Sequence, residues 1–313
     1  MTEPDTPLNN AYHVGSFYFL RDEIMELKNQ QNPLDIDGQI NNLKSLGLII
    51  EDEDQAKEFL NDVSYFRLIK AYSLGLKRKN SNYFDKTTFK QITNLYLFNS
   101  NFRQLIFPQI ERVEVNLRCR LSNYFSCKYG VLGYENSEYF NNKDYHHLFL
   151  EEINKEIRHN KRSPFVKNFS NNYVGGKLPF YAIVELLSFG NLSKFYKNMT
   201  NEDKKMISGT YGIGYTYFES WIEHIAFIRN ICAHYGRLYN ATFPIIPKLY
   251  KKDRVDDKSS HMIFATLICL KHLIPTDKHW NEFIDTISLL LEKYQDVQIR
   301  RMGFPDNWID YLT

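Results

Sequence analysis

A long run of regularly spaced apolar residues sets the main limit on the fold of this 313-residue chain. Between residues 89 and 129, apolar side chains recur every three or four positions, which predicts an amphipathic helix about 60 Å long. Gly130 is expected to end this helix, and Pro108 is expected to kink or divide it. The outer face of the helix carries charged side chains, namely Glu111, Arg112, Glu114, Arg118 and Arg120.

Most of the remaining chain shows the same helical spacing, and strand signals are poor. The 14 glycines and 10 prolines are too few for a turn-dense all-β architecture. Helices are predicted over 35–48, 53–61, 64–76, 144–160, 164–173, 180–199 in two pieces, 201–212, 215–239, 261–273 and 280–298. We expect an all-α, multi-helix bundle with a long central helix and an N-terminal helical extension. Its expected parts are an N-terminal arm (1–34, with a short helix over 17–30), an N-terminal helical region (35–87), a helical core (88–245) and C-terminal helices (246–313).

The composition excludes several classes of protein. Hydrophobic residues make up 43% of the chain and charged residues 24%, which excludes a disordered protein. Because the sequence has neither an apolar run of about 18 residues nor a signal-peptide pattern, we expect a cytoplasmic protein that does not span a membrane. Four scattered cysteines without a CxxC pair predict reduced, buried thiols, and we expect no metal and no cofactor. The net charge of +2 is too balanced to indicate nucleic-acid binding by itself.

One segment near the end of the helix predicted over 215–239 combines residue types that can bind an anion and transfer a proton. Asn230, His234 and Arg237 are separated by four and three residues, so on a helix they share one face. The long side chain of Arg229 can reach the same surface. The apolar stripe of this helix lies mostly elsewhere, at Trp221, Ile225, Ile228 and Cys232.

These residue types suit the cleavage of RNA without a metal. Histidine titrates near neutrality, arginine pairs with phosphate oxygens, and an asparagine amide can orient either the imidazole or the phosphate. A 2′-hydroxyl would attack the adjacent phosphorus and give a 2′,3′-cyclic phosphate and a 5′-hydroxyl. The spacing alone is weak evidence, because Arg254 and His261 repeat it in a polar loop. From the spacing alone, a surface or interface histidine that is satisfied by a neighbouring group is the favoured explanation of His234.

The segment FIRNICAHYGRLYN (227–240) resembles the signature helix of the Abi-like (AbiD/AbiF) abortive-infection family, which belongs to the HEPN superfamily of helical ribonucleases. Other blocks between residues 35 and 245 resemble the family in the same order, including the long central helix. The resemblance implies a HEPN-like core and a phage-defence toxin that cleaves single-stranded RNA without a metal. It also implies restraint by a partner, such as a structured non-coding RNA.

By this resemblance, Arg229, Asn230 and His234 are the catalytic residues, supported by Arg237 and Asn240. The chain departs from many relatives in having Tyr235 where they carry a second histidine, and Tyr239 where they carry tryptophan. HEPN ribonucleases build a composite site from two signature helices, and this chain offers one. A single histidine also leaves the acid and base roles to one group, so we expect a two-fold homodimer.

Residues outside the signature segment are secondary candidates. Glu111 or Glu114 would pack beside the signature helix and orient Arg229 or His234, although a solvated ion-pair face explains the same pattern. Further RNA contacts are considered at Arg118, Arg67, Lys77 and Arg78, for which helix packing or a solvated loop is the alternative. His224 is expected to be structural.

Two other functions remain open at the level of sequence. The same patch of arginine and histidine could hold RNA without cutting it, as in an RNA-binding or scaffold protein of a defence system. A regulator that acts only on proteins is a third possibility. Detection of RNA cleavage, of RNA binding alone, or of neither separates the three.

Overall fold

The secondary structure is helical in the computed structural model, which describes residues 32–275 and 278–313, and no β-strand occurs in that part of the chain. The α-helices are α1 (Ile36–Ser45), α2 (Glu53–Asp62), α3 (Phe89–Tyr129), α4 (Lys143–His159), α5 (Pro164–Asn172), α6 (Phe180–Leu186), α7 (Phe189–Asn198), α8 (Asn201–Gly209), α9 (Tyr215–Ala233), α10 (Ile263–Leu273), α11 (Lys278–Lys293) and α12 (Trp308–Leu312). The prediction of an all-α fold is confirmed. The helix predicted over 17–30 lies outside the described residues.

The periodic stretch at 89–129 forms one uninterrupted helix, α3. Thr88 and Gln91 form a reciprocal capping box at its start, and Gly130 ends it with φ +81°. The expectation that Pro108 divides the helix was wrong, and a kink at Pro108 stays a prediction. Pro108 lies on the exposed side, where solvent can hydrogen-bond to the carbonyl of Gln104 that lacks an amide partner.

The long helix α3 lies at the centre of the bundle. Helices α6, α7, α8, α9, α10 and α11 all contact it, and its apolar stripe belongs to a hydrophobic core that runs through the compact unit Ile36–Thr313. Helix α9 runs antiparallel to α3, because its residue Arg229 lies beside Glu114 whereas Gly236, just beyond its end, lies beside Arg103. Two elements that carry the candidate residues are therefore packed side by side.

The structure corrects two details of the sequence predictions near this core. The segment predicted as a helix over 64–76 forms a short π-helix, Phe66–Lys70, that continues only to Tyr72. Cys119 and Cys127 are exposed rather than buried, because they lie on the outward face of α3. None of the helices between residues 32 and 275 or after residue 277 is long and apolar enough to cross a bilayer.

Candidate functional site

The signature segment begins as a buried helix and ends as an exposed turn. The predicted stripe of α9 is fully or almost fully buried, at Trp221, Ile225, Ile228 and Cys232. The helix ends at Ala233, so the prediction that it continues to Tyr239 was wrong. His234 is the residue that caps the carboxyl end of the helix. The site residues therefore lie at a helix end and not along a helix face.

The early end has a clear backbone cause. Tyr235 adopts a left-handed conformation with φ +57°, and its amide donates to the carbonyl of Cys232 at 3.2 Å. The next amide, of Gly236, donates to the carbonyl of Ile231 at 2.7 Å, which completes the hydrogen-bond pattern of a Schellman motif. A Cβ at Gly236 would lie 2.7 Å from Cγ2 of Ile231, so only glycine allows this approach. The segment 234–240 consequently leaves the helix axis.

Buried polar groups of α3 hold the segment 234–240 in place. The Oδ1 atom of Asn99 accepts from the amides of Leu238 and Tyr239, at 2.7 and 2.9 Å. The guanidinium of Arg103 donates to the carbonyl of Gly236 at 3.0 Å. Sequence reasoning missed Asn99 and Arg103, although two polar residues four positions apart within a buried stripe are a recognisable signal.

The N-terminal region supplies a second set of contacts to the same segment. Arg67 donates to the carbonyl of Tyr235 at 3.1 Å. In the opposite direction, Arg237 donates to the carbonyl of Ala71 at 2.9 Å, and the Asn240 amide to the carbonyl of Leu74 at 3.3 Å. Arg237 is partly buried and does not share a helix face with His234, which corrects the sequence-based placement. Arg237 and Asn240 therefore tie the segment to residues 71–74.

The remaining signature residues are grouped at the exposed end of α9. Asn230 and His234 are exposed, and the backbone amide of His234 donates to the carbonyl of Asn230 at 3.0 Å. The Arg229 side chain is 33% exposed, and its guanidinium lies 5.9 Å from the ring centroid of Phe107. This turn thus presents an amide, an imidazole and part of a guanidinium to solvent.

Behind Arg229 lies the carboxylate of Glu114, which is only 8% exposed. Its Oε2 atom is 3.4 Å from Nε of Arg229, a nitrogen that is fully covered and makes no hydrogen bond. The other carboxylate oxygen accepts from Arg118, which also donates to the carbonyl of Val184. Glu114 therefore sits between two guanidinium groups and compensates charge in a place that water reaches poorly.

The other secondary candidates are placed elsewhere or have local partners. Glu111 is exposed, one turn before Glu114 on α3. Lys77 lies 4.5 Å from the ring centroid of Tyr83, and Arg78 pairs with Asp85 at 2.8 Å, so both contact their own loop. Arg118 is turned inward, as described above, which leaves Arg67 as the exposed cation in contact with the signature segment.

His224 is buried in the bundle, as expected for a structural histidine. Its Nδ1 atom faces the carbonyl of Ile245 at 2.6 Å, and its Nε2 atom lies 2.8 Å from the hydroxyl of Thr266. Burial lowers the pKa of His224 to about 4, against the opposing effect of the Ile245 carbonyl. Across 32–275 and 278–313, no three His, Cys, Asp or Glu side chains are grouped to hold a metal ion.

A comparison with protein-family models places this arrangement in context. The model described as Abi-like protein matches residues 58–240, which is more than half of the chain. The match includes the π-helix with Arg67, the stretch of α3 with Glu114 and the whole signature segment. Comparisons with curated proteins and with solved structures give no match. On the family match, the chain belongs to the Abi-like protein family.

Proposed function

We propose that this protein is a phage-defence ribonuclease toxin of the HEPN type that cleaves single-stranded RNA by attack of a 2′-hydroxyl. One observation carries the proposal. Asn230 and His234 are exposed and Arg229 is partly exposed near the end of α9, whereas Arg237 and Asn240 are engaged with residues 71–74. Membership of the Abi-like family agrees with a role in abortive infection.

Each of the three residues has a distinct part in the proposed reaction. The imidazole of His234 removes the proton from the 2′-hydroxyl or returns a proton to the departing 5′-oxygen. The guanidinium of Arg229 stabilises the negative charge that grows on the phosphoryl oxygens. The Glu114 carboxylate orients Arg229 from behind. The amide of Asn230 positions the phosphate or the imidazole.

The proposal includes a homodimer. One imidazole serves poorly as both base and acid in a single turnover, and a two-fold axis near the end of α9 would bring two His234 side chains to one RNA strand. The exposure of His234 in the single chain leaves it free for such a pairing. We expect the cleavage rate per chain to rise with protein concentration until the dimer is saturated.

The test compares the signature residues with exposed residues of the same type elsewhere. Labelled single-stranded RNA is incubated with the wild-type protein, with Arg229→Ala and with His234→Ala, in the presence of a chelator. Arg254→Ala and His147→Ala are matched controls, since both residues are exposed and lie outside α9. We expect each signature substitution to reduce cleavage by about 100-fold or more, and the controls to have no effect.

The products and the binding behaviour separate this function from its alternatives. Cut ends should carry a 2′,3′-cyclic phosphate and a 5′-hydroxyl. Cleavage that survives both signature substitutions contradicts the catalytic assignment. If the wild type shifts RNA in a gel without cutting it, the non-catalytic RNA-binding function is correct instead. RNA that copurifies with the protein would identify the proposed regulatory partner.

A further inference from the structure

Tyr235 combines two features that packing does not explain. Its φ of +57° is a left-handed conformation that L-residues adopt at an energetic cost, and glycine is the usual residue at this position of a Schellman motif. Its side chain is also 68% exposed, so the ring gains little from burial. Strained residues of this kind are concentrated at functional sites, which makes the exposed ring beside His234 a candidate for a function of its own.

A hydrogen bond joins the backbone of Tyr235 to the π-helix, which carries further exposed side chains. Because Arg67 donates to the Tyr235 carbonyl at 3.1 Å, this residue of the π-helix reaches the turn that follows α9. Phe66, next to Arg67 in the chain, is 77% exposed, and Lys70 is exposed as well. We call the group of Phe66, Arg67 and Tyr235 the aromatic surface.

We infer that Tyr235 stacks on a base of an unpaired RNA nucleotide that lies next to the cleaved linkage, with Phe66 and Arg67 extending the contact. The inference rests on the proposed ribonuclease function for its ligand. An exposed aromatic ring, on a residue whose carbonyl holds an exposed guanidinium, matches the two parts of a single-stranded nucleotide, a base with an open π-face and a phosphate. Bases in a duplex are already stacked, so the aromatic surface selects single strands and loops.

The backbone around Tyr235 is held firmly enough for this role. The carbonyls of Tyr235 and Gly236 accept from Arg67 of the π-helix and from Arg103 of α3. Such contacts fix the direction in which the ring leaves the chain before RNA arrives, which reduces the ordering that binding would otherwise require. Tyr235 is thus a substrate-binding residue adjacent to the reacting group.

The test separates the ring from the backbone conformation. Tyr235→Asn removes the ring but keeps a residue that tolerates the left-handed conformation, whereas Tyr235→Phe keeps the ring. Tyr145→Asn, at a tyrosine that is 61% exposed on α4, is the matched control. Each change is made in a His234→Ala background that prevents cleavage. The probe is a short unpaired oligoribonucleotide that carries 2-aminopurine, whose fluorescence is quenched by stacking.

We expect Tyr235→Asn to raise the Kd for this probe roughly 5- to 150-fold and to reduce the quenching, as for the loss of one stacked base. Tyr235→Phe and Tyr145→Asn should bind like the parent. Tyr235→Gly should bind weakly and yet have a higher Tm, because glycine removes the backbone strain.

Three results would overturn the inference. The first is unchanged binding by Tyr235→Asn. The second is an equal loss in Tyr235→Phe, which would assign the effect to the hydroxyl. The third is a loss of binding that sedimentation traces to dissociation of a dimer.

If the wild type binds the probe through Tyr235 but does not cleave RNA, the ribonuclease proposal fails and the stacking inference stands. If the wild type cleaves RNA, and Tyr235→Asn both cleaves and binds normally, the stacking inference fails and the ribonuclease proposal stands.

Discussion

Replacing Glu114 by glutamine removes one negative charge from between two arginines. Glu114 is 8% exposed, and the side chain of its partner Arg118 is 13% exposed, so water screens little of the charge left behind. Glutamine keeps the shape and one acceptor oxygen of the side chain, and it therefore isolates the effect of the charge. The substitution leaves Arg118 and Arg229 facing a neutral amide.

The size of the effect follows from burial. Breaking a buried ion pair by removing one partner costs about 3–5 kcal/mol, because the other charge stays buried without compensation. Arg229 is one-third exposed and contributes less, and the Arg118 guanidinium keeps its hydrogen bond to the Val184 carbonyl. We therefore expect Glu114→Gln to lower the free energy of unfolding by about 2–3 kcal/mol.

Urea unfolding followed by far-UV circular dichroism measures this loss, with Glu111→Gln as the control. Glu111 lies three residues earlier on the same helix and is exposed, so its substitution should change stability by less than about 0.5 kcal/mol. In the RNA assay, Glu114→Gln should also lower kcat with little change in KM, because it disturbs the orientation of Arg229 and not substrate binding. Equal unfolding midpoints for the two variants would refute the argument that Glu114 compensates buried charge.

Two further predictions concern buried groups. Because the pKa of His224 falls from 6.5 to about 4 on folding, the unfolded state takes up a proton first as the pH drops, and stability should decrease by up to about 3 kcal/mol between pH 6.5 and 4. His224→Gln should remove this part of the pH dependence in urea unfolding, and parallel profiles for wild type and variant would contradict the assignment. Two thiols should react rapidly with a disulfide reagent in the native protein and two only on unfolding, as followed by thiol release and peptide mapping. The rapid pair is the exposed Cys119 and Cys127, and the slow pair is Cys232 and Cys269, in which burial raises the thiol pKa.

Periodicity predicted the helices well where one face is buried and the other is solvated. The stretch 89–129 and the stripe at Trp221, Ile225 and Ile228 show this, since the predicted apolar positions are buried except Leu105, which is partly buried. The expected division at Pro108 was wrong, because Pro108 lies on the exposed side of α3, where water can hydrogen-bond to the carbonyl that a proline leaves without an amide partner. The apolar spacing itself places Pro108 off the buried stripe, between Ile106 and Ile110, so its exposed position could have been read from the sequence.

The end of the signature helix was predicted a turn and a half too late for a different reason. The apolar residues Leu238 and Tyr239 continue the helical spacing after Ala233, and both are buried. Their amides, however, pair with the side chain of Asn99 and not with helical carbonyls. That contact joins residues far apart in sequence, so local periodicity cannot reveal it. Gly236 was the available local signal for the stop.

The consequence for function is that the candidate site depends on the N-terminal helical region as well as on the signature segment. Residues 67–74 contact Tyr235, Arg237 and Asn240, which are three of the six residues that follow His234 in the signature segment. The Arg67 contact spans 168 positions of sequence, and yet it fixes a backbone atom next to the histidine. A residue in this region can therefore change the geometry at His234 without touching RNA. For this reason, we expect residues 35–87 and the core to act as one functional unit, and not as modules with independent roles.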